Sequence, residues 1–338
     1  MNQKNRVCCI IVNWNTPALT EVCLNSLARQ ATPPDTVVVC DNGSTNDSSR
    51  QILSWSSQIF DKAHEIQFLT AQVVDQKQFP VSKPLPKFVF IQNQTNQGFA
   101  RGNNLGIKWA LAQKAYAYIW LLNPDTWVEK TAMQHLIDCA MSDPAVGVWG
   151  STVCLVHKPN RLQCAAGYTY VPWSSVIRPV LGGSNLSAAL STPTAPSLDY
   201  IIGASMFLKT EVLEAVEFLC EDYFLFYEEL DLCKRARKAG YEAGWCRKSI
   251  IYHHGGTGFN AQSGATQSRL GKIAYHEMLS TLIFTRRFYP HLLPFILLIR
   301  LAAKFYYAIR RRQLFLIHPL LRAYLDFGTG KWRRACKS

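Results

Sequence analysis

The sequence predicts an α/β fold with a mostly parallel central sheet flanked by helices, followed by a basic helical extension at the C-terminus. Over the first 150 residues, apolar runs of strand length alternate with segments of helical periodicity, as in parallel sheets with crossover helices. With 338 residues, 48% hydrophobic and 17% charged, the chain can bury a large core. Residues 286–338 hold 12 Lys or Arg and one acid, so +11 of the net charge of +13 lies in this tail.

The elements of the first half follow from the periodicity. The predicted strands are 7–14, 36–41, 87–92 and 117–122, and the predicted helices are 17–30, 47–60 and 98–113. Residues 61–86 contain three prolines and little periodicity, which indicates an irregular surface insertion.

The second half is less regular. Residues 151–197 have a mixed pattern, and the Ser-, Thr-, Pro- and Ala-rich stretch 184–197 is predicted to be a loop. Residues 198–209 return to strand character, and a helix containing EELDLCKRARK follows. The strand after it ends on His253 and His254.

The cysteines and the apolar runs bear on the compartment. The 11 cysteines include Cys8, Cys9, Cys40 and Cys139 within apolar runs, with no CxxC pair and no signal peptide, so we expect reduced, buried thiols in a cytoplasmic protein. The uncharged apolar run 288–299 has 12 residues, fewer than the roughly 20 of a spanning helix. We therefore expect no integral membrane segment.

Polar residues stand where several predicted strands end. Asn13, Asp41 and residues 123–125 occupy these positions, and ligands of parallel sheets bind at the carboxyl ends of the strands. Asp41 can accept hydrogen bonds from a nucleotide base or ribose. The Asp-Asn-Gly-Ser sequence that it opens is equally explained as an ordinary turn.

Glycines at the start of the third helix are spaced G-x3-G-x3-G, at Gly98, Gly102 and Gly106. This spacing differs from the GxGxxG dinucleotide fingerprint, which argues against a nicotinamide-dependent oxidoreductase. Close helix packing and contact with a ligand both explain these glycines.

Two residues have the chemistry of metal ligands. Asp125 follows a strand and can hold Mg²⁺ or Mn²⁺ through its carboxylate, although Asn-Pro-Asp also forms an Asx turn. His253 can complete a metal site as a neutral imidazole, or it can simply be packed or solvated.

Three acids, Glu228, Glu229 and Asp231, cluster near a helix start, where the helix dipole favours carboxylates. Asp231 precedes Arg235 by four residues, which predicts an ion pair along the helix. One of the glutamates can face a pocket and take a proton from an attacking hydroxyl. Taken alone, the motif favours the alternative, a solvated first helical turn.

Taken in order, IIVNWN, DNGST, NQGFARGNN, LLNPDT, IIGASMFLK, EDYFLFYEELDLCKRARKAG and YHHGGTG resemble the family 2 glycosyltransferases, most of all the rhamnosyltransferase-like group of bacterial surface-polysaccharide synthesis. The resemblance implies a Rossmann-like GT-A domain over residues 1–285. Residues 1–150 would be its nucleotide-sugar-binding half, residues 151–285 its acceptor-binding and catalytic-base half, and residues 286–338 the basic tail.

The resemblance also implies an activity. The enzyme would transfer a sugar, with inversion, from a nucleotide diphosphate to a hydroxyl of a glycan or a polyprenyl-diphosphate-linked acceptor in O-antigen, capsule or similar biosynthesis. The subgroup favours dTDP-rhamnose over UDP-sugars. The alternative is a non-catalytic relative that binds a nucleotide sugar or tethers partners at a membrane, and it is favoured by Asn123 standing where the DxD motif has its first acid.

The same resemblance assigns roles to individual residues. Glu229 matches the catalytic base, with Glu228 supporting it or binding acceptor. Asp125 matches the last acid of DxD and would hold Mg²⁺ or Mn²⁺ together with His253. The implied donor-binding residues are Asn13, Asn15, Asp41 as the base contact, Asn96, Gly98, Arg101, Asn103 and Asn123.

The tail places Arg300, Lys304 and Arg311 in one stripe on an otherwise apolar helix. Such a stripe is typical of an interfacial helix on anionic lipid, and a core-packing helix with solvated charges is the alternative. We expect a cytoplasmic protein, peripheral on the inner face of the cytoplasmic membrane. With no nucleic-acid-binding motif and the charge confined to the tail, no nucleic-acid partner is expected.

Overall fold

The computed structural model describes residues 5–60, 65–192, 196–255 and 266–332. In chain order, its strands and helices are β1 (Val7–Asn13), α1 (Pro17–Ala28), β2 (Thr36–Asn42), α2 (Ser48–Ile59), β3 (Ile66–Thr70), α3 (Ala71–Asp75), β4 (Phe88–Asn93), α4 (Phe99–Ala112), β5 (Tyr118–Leu122), β6 (Thr126–Val128), α5 (Ala132–Ser142), β7 (Val146–Leu155), β8 (Lys158–Ala165), β9 (Gly167–Val171), β10 (Val176–Pro179), α6 (Leu186–Leu190), β11 (Tyr200–Ile201), β12 (Ser205–Lys209), α7 (Thr210–Val216), α8 (Glu228–Lys238), β13 (Glu242–His253), α9 (Gln267–Phe288), α10 (Leu293–Arg310) and α11 (Ile317–Thr329). The predicted alternation of strands and helices in the first half is confirmed.

The central sheet has the strand order β3-β4-β2-β1-β5-β12-β7-β13-β6, with β8 paired to β7. The first five strands in this order, β3, β4, β2, β1 and β5, are parallel to one another, and β13 is parallel to β7. β12 runs antiparallel between β5 and β7, and β6 and β8 are also antiparallel to their partners. The sheet is therefore mostly parallel, as predicted, and its parallel half places the ends of β1, β2, β4 and β5 on one edge.

A second sheet of three antiparallel strands, β10-β9-β11, lies in the region 151–197 and just after it. The predicted strand 198–209 is divided between the two sheets, because β11 joins the small sheet and β12 the central one. The residues between them, Ile202 to Ala204, include Gly203, whose backbone N–H donates to Glu229 Oε1 at 3.2 Å.

Two of the irregular predictions are wrong. The stretch 61–86 contains β3 and α3, and β3 pairs with β4 at the edge of the sheet in register with Ile66 opposite Phe88. Its pattern was hard to recognise because an edge strand is only half buried, with Phe68 54% exposed. The predicted loop 184–197 contains the short helix α6.

Helix α4 packs tightly on β1 through two of its glycines. A Cβ on Gly102 would lie 2.7 Å from Val12 Cγ1, and a Cβ on Gly106 would lie 2.6 Å from Ile10 Cγ2. Any larger residue at either position would push the helix away from the sheet. Close packing therefore explains two of the three glycines of the GFARGNNLG segment.

Helix α8 begins directly at Glu228, and the chain enters it through a constrained backbone. Phe226 and Tyr227 both have positive φ, 70° and 75°, a conformation that non-glycine residues adopt at a cost. Within the helix, Asp231 is fully buried and pairs with Arg235, as the spacing predicted. Asp231 also lies 3.4 Å from Arg287 Nε of α9, which ties this helix to the C-terminal region.

The basic tail forms a helical layer, and the expected boundary between residues 285 and 286 falls inside α9. The 3-10 turns Pro290–Leu292 and Leu314–Leu316 precede α10 and α11. The predicted lipid-facing stripe is not formed. Arg300 Nη2 lies 3.0 Å and Lys304 Nζ 2.7 Å from the Glu277 carboxylate of α9, so both cations point inward.

The outward side of α10 and α11 is apolar, with Leu298 73%, Ile309 61% and Leu325 67% exposed. By length and composition alone, residues Pro290–Arg310 could cross a membrane, with a mean hydropathy of 1.7 and only 11% of the segment buried. The expectation that no segment reaches this length is wrong, because Arg300 and Lys304 interrupt the apolar run but not the helix.

The cysteine prediction is confirmed only in part. Eight cysteines of the described residues are free thiols, seven of them buried. Cys139 on α5 and Cys246 on β13 are instead paired as a disulfide, with their Cα atoms 6.0 Å apart. The two are 107 residues apart in sequence, and they meet because α5 packs on β13, which no local spacing indicates.

Candidate active site

A cavity of about 720 Å³ opens beside the carboxyl ends of β1, β2 and β5 and is closed on the far side by the small sheet, α8 and the C-terminal helices. Its polar lining includes Asn42, Asn96, Asn123, Asp125, Glu228 and Glu229. Asn123 and Asp125 at one strand end and the two glutamates at the helix start, recognised separately in the sequence, therefore share one cavity. Such a cavity with converging polar groups is the usual form of a small-molecule site.

The cavity lining includes an aspartate and a histidine in contact. Asp125 follows β5 and His253 ends β13, and both are buried. His253 Nδ1 donates to Gln163 Oε1 at 2.8 Å, because an amide oxygen can only accept. His253 Nε2 then faces Asp125 Oδ1 at 3.1 Å and Asn123 Nδ2 at 3.4 Å. Two electron-rich atoms so placed can bind the same cation.

The cavity lining also includes the two glutamates of α8. Glu228 is 1% exposed, and its Oε2 has no hydrogen-bond partner among the described residues. Glu229 is partly exposed to the cavity, and its Oε1 accepts the backbone N–H of Gly203 at 3.2 Å. The second glutamate is therefore held by the backbone, whereas the first lacks such a partner at Oε2.

Burial raises the pKa of both carboxyls, and for Glu228 the neighbouring charge of Glu229 raises the pKa further. The pKa of Glu228 is shifted well above its usual range, so it holds its proton at a pH where a free carboxyl would ionise. The hydrogen bond from Gly203 lowers the pKa of Glu229 in opposition to burial. Of the two, Glu229 is the carboxylate that ionises more readily.

Asp41 and Asn13 are not among the residues that line the cavity. Asp41 is fully buried and accepts from Asn13 Nδ2 at 2.7 Å, from Gln92 Nε2 at 2.9 Å, and from Ser44 through its N–H at 2.9 Å and its hydroxyl at 2.7 Å. A carboxylate has about four acceptor positions, so all are in use. The sequence indicated a contact with the nucleotide base at this position. The structure shows a hydrogen-bond network that joins the ends of β1, β2 and β4.

Asn15 adjoins this network through Ser44, and its side-chain oxygen accepts the backbone N–H of Thr45 at 2.8 Å. Asn96 and Gly98 do line the cavity. Both are held by Asn42, whose Nδ2 donates to Asn96 Oδ1 at 3.0 Å and to the Gly98 carbonyl at 2.9 Å. Asn42 was overlooked in the sequence because Asp41 beside it was the more obvious ligand.

Arg101 and Asn103 do not reach the cavity. On α4, Arg101 pairs with Asp75 and lies 3.4 Å from Glu221, on the side of the helix away from the cavity lining. Asn103 is buried and donates to the Phe99 carbonyl at 3.0 Å within its own helix. Successive helix positions point in different directions, so one helix cannot present all of its polar residues to one ligand.

Several cavity residues were missed because they lie in regions without a motif. Tyr168 and Tyr200 stack with ring centroids 5.4 Å apart on the small sheet and line the cavity. Burial raises the pKa of both phenols, which keeps them neutral. Gln163, which orients His253, and Arg300 of the tail also line it. Nothing in the sequence indicated that these four line a cavity, and the pattern of the tail predicted a lipid-facing stripe for Arg300 instead.

The described residues contain no group of three or more His, Cys, Asp or Glu side chains placed to hold a metal ion. Asp125 and His253 are therefore a pair of such side chains in contact, and further ligands of a cation would come from water or from a bound substrate. Adjacent ligands of an octahedral cation with bonds of about 2.1 Å lie about 3.0 Å apart. The separation of 3.1 Å between Asp125 Oδ1 and His253 Nε2 fits this geometry.

The family model of glycosyl transferase family 2 matches residues 8–68 and 69–165, a little under half of the chain. Agl10, a low-salt glycan biosynthesis hexosyltransferase of Haloferax volcanii, is 26% identical over 170 residues, which are 49% of this chain and 51% of the relative. The chain thus spans about half the length of that relative. GlfT1, a galactofuranosyltransferase of Mycolicibacterium smegmatis, is 23% identical over 260 residues, which are 76% of this chain and 74% of the relative.

Two solved structures resemble the fold. GalNAc-T7 with UDP, GalNAc and Mn²⁺ has a TM-score of 0.56 at 11% identity, covering 75% of this chain and 44% of that one. Mannosyltransferase PcManGT of Pyrobaculum calidifontis, with GDP-Man and Mn²⁺, has a TM-score of 0.50 at 15% identity, covering 96% and 87%. At these identities the likeness speaks for the fold alone. The fold is GT-A, and the matched segment and the two relatives support a family 2 glycosyltransferase.

Proposed function

We propose that the protein is an inverting, divalent-metal-dependent glycosyltransferase that moves a sugar from a nucleotide diphosphate to an acceptor hydroxyl. The observation that supports this most is one cavity lined by both the Asp125–His253 pair and the Glu228–Glu229 pair. The first pair suits a phosphate-bound cation, and the second suits proton removal from a hydroxyl.

Asp125 and His253 would hold Mg²⁺ or Mn²⁺, with Gln163 fixing the imidazole so that its Nε2 lone pair faces the carboxylate. This chain has Asn123 at the position of the first acid of the DxD motif. His253 would supply the metal ligand that the missing carboxylate does not. When bound, the cation would supply a Lewis acid that offsets the charge developing on the departing diphosphate.

Glu229 is the proposed general base. Its hydrogen bond from Gly203 stabilises the ionised form, and its partial exposure lets an acceptor hydroxyl approach. Removing the acceptor proton while the oxygen attacks the face of the sugar opposite the diphosphate gives inversion in a single displacement. Glu228, protonated beside it because its pKa is raised, can donate a hydrogen bond to the acceptor and keeps a second negative charge out of the site.

The donor would lie along Asn42, Asn96, Gly98 and Asn123, which line the cavity between the strand ends and the metal ligands. Asp41 remains the proposed contact of the nucleotide base. Binding would require the nucleotide base to replace Gln92 as a hydrogen-bond donor to the Asp41 carboxylate. Asn13 and Asn15 would then act by stabilising the hydrogen-bond network around Asp41. Arg101 and Asn103 are left out of the donor site.

The sugar and pathway rest on the resemblance to the rhamnosyltransferase-like group. We propose dTDP-rhamnose as the first donor to test and cell-surface polysaccharide synthesis as the setting. The stacked pair Tyr168 and Tyr200 offers an apolar face with two phenol groups, which suits a sugar ring.

The outward face of α10 and α11 supports a peripheral position on the cytoplasmic side of an anionic membrane. Leu298, Ile309 and Leu325 are exposed, and Arg310 to Arg312 follow at the end of α10. This combination of apolar and basic residues is typical of interfacial helices. A membrane position would bring a polyprenyl-diphosphate-linked acceptor to the cavity.

Thermal stability measured against a panel of nucleotide sugars, each with and without Mn²⁺ or Mg²⁺, tests the proposal. We expect one donor to raise Tm only when the cation is present, and Asp125→Asn to remove this response. A folded protein whose Tm responds to no donor in the panel would contradict the proposal.

A further inference from the structure

The wall of the cavity beside α8 is completed by the C-terminal helices. Ile273 and Glu277 of α9 and Arg300 of α10 line the cavity together with Tyr227, the residue directly before Glu228. The basic tail thus contributes to the proposed acceptor side of the site. None of the motifs recognised in the first 290 residues includes this part of the cavity wall.

Arg300 is the only Lys or Arg among the described residues that line this cavity. Its side chain is 15% exposed, and Nη2 donates to Glu277 Oε1 at 3.0 Å. Its Nε is buried and has no hydrogen-bond partner in the described part of the chain. A buried donor without an acceptor costs free energy, and Glu277 therefore leaves this guanidinium incompletely satisfied.

The local charge favours an anion. Glu277 is a single carboxylate, and Arg300 and Lys304 both pair with it, at 3.0 and 2.7 Å. The cluster therefore has one more cation than anion, in a cavity that otherwise presents carboxylates at Asp125 and Glu229. An arginine in this setting can bind phosphate or carboxylate with two parallel hydrogen bonds.

We propose that Arg300 is a specificity-determining residue that binds an anionic group, phosphate or carboxylate, of the acceptor. The proposal rests on the proposed function, because it takes the side of the cavity near Glu229 as the acceptor side. The C-terminal extension then selects which hydroxyl compound reaches the base, while the strand ends bind the donor.

A purely structural role for Arg300 has a different consequence. If Arg300 served only to neutralise Glu277, then Lys304, which pairs with the same carboxylate but does not line the cavity, would be equivalent to it. Lys304→Gln is therefore the matched control. Arg311→Gln is a second control, because Arg311 is exposed directly after the same helix.

The experiment measures probe binding to the full-length protein by ligand-observed NMR in EDTA, which keeps metal-bound phosphate out of the result. The probes are glucose 1-phosphate, glucuronate and methyl glucoside, and they separate phosphate, carboxylate and neutral sugar. We expect at least one anionic probe to bind, about 10- to 100-fold more weakly to Arg300→Gln, with Arg300→Lys in between. Both control variants should match the wild type, and methyl glucoside should not distinguish the variants.

Equal binding of the anionic probes to wild type and Arg300→Gln would overturn the inference, as would binding of none of them. An equal loss in Lys304→Gln would also overturn it, since the effect would then belong to the Glu277 cluster. Asp125→Asn and the nucleotide-sugar panel together separate this inference from the proposed function. Because EDTA removes any cation, anion binding should survive Asp125→Asn. The proposed function fails instead if no nucleotide sugar raises Tm with Mn²⁺ or Mg²⁺, a result that leaves the anion titration in EDTA unaffected.

Discussion

Replacing Gly203 by alanine tests the position of Glu229 without changing any ionisable group. A Cβ on Gly203 would lie 2.5 Å from Glu229 Oε1 and 2.9 Å from Phe99 Cζ, whereas ordinary contacts begin at 3.4 Å. The carboxylate oxygen must therefore move by about 0.9 Å, and a displacement of about 1 Å in a reacting group can cost about 100-fold in rate. That factor corresponds to about 2.7 kcal/mol of transition-state stabilisation.

The expected result for Gly203→Ala is a fall of about 100-fold in the turnover of nucleotide sugar. The hydrogen bond from Gly203 to Glu229 is also weakened, which raises the pKa of Glu229 and shifts the acidic limb of the pH–rate profile upward. Stability should fall by only about 1–2 kcal/mol, because the nearest atom is the end of a side chain.

The assay compares turnover, its pH profile and Tm in wild type, Gly203→Ala and Gly328→Ala. Gly328 lies in α11, and a Cβ added there would meet no atom of the described residues within 4 Å apart from its own helix backbone, so its variant should retain full activity. Unchanged turnover and pH profile in a folded Gly203→Ala protein would refute the role assigned to Glu229.

Further predictions concern the second glutamate, the imidazole and the tail. The pKa of Glu228 is raised in the folded state, so Glu228 loses its proton at a lower pH in the unfolded chain than in the folded protein. The free energy of unfolding therefore falls as pH rises above about 4.3. In thermal melts, the Tm advantage of Glu228→Gln over wild type should grow from pH 5 to pH 7. Gln163→Leu should weaken Mn²⁺ affinity by about 10- to 100-fold in a metal titration, because His253 loses its orienting partner. Leu298→Ser should reduce co-sedimentation with anionic vesicles, whereas Val22→Ser, at 51% exposure on α1, should not. A flat Tm difference, an unchanged Mn²⁺ affinity or equal reductions for the two serine variants would contradict these three expectations in turn.

The first half of the fold could be predicted because its strands are buried on both faces and its helices have clear periodicity. β1 has no exposed residue, so its sequence is apolar almost throughout. The edge strand β3 and the helix α6 could not be recognised in the same way, because half-buried and very short elements leave little pattern. The Cys139–Cys246 pair depends on the packing of α5 against β13, which the sequence does not reveal.

The site was predictable where a residue follows directly from a strand end or helix start. Asp125, His253, Glu228 and Glu229 were identified in this way, and the structure places all four in one cavity. Arg101 lies outside that cavity because the direction of its side chain around the helix, which the motif does not specify, points elsewhere. Residues that contribute through packing of distant segments, such as Gln163 and Arg300, required the structure.

The most direct test of the central claim compares nucleotide-sugar turnover by wild type, Glu229→Gln and Glu228→Gln with the donor and cation identified by thermal stability. General-base catalysis predicts a loss of about 100- to 10,000-fold in Glu229→Gln, with donor-induced stabilisation retained. Glu228→Gln, in which a neutral amide replaces a protonated carboxyl, should lose far less. Equal turnover by Glu229→Gln and wild type, or donor binding without turnover by the wild type, would contradict the claim that this cavity transfers a sugar with Glu229 as its base.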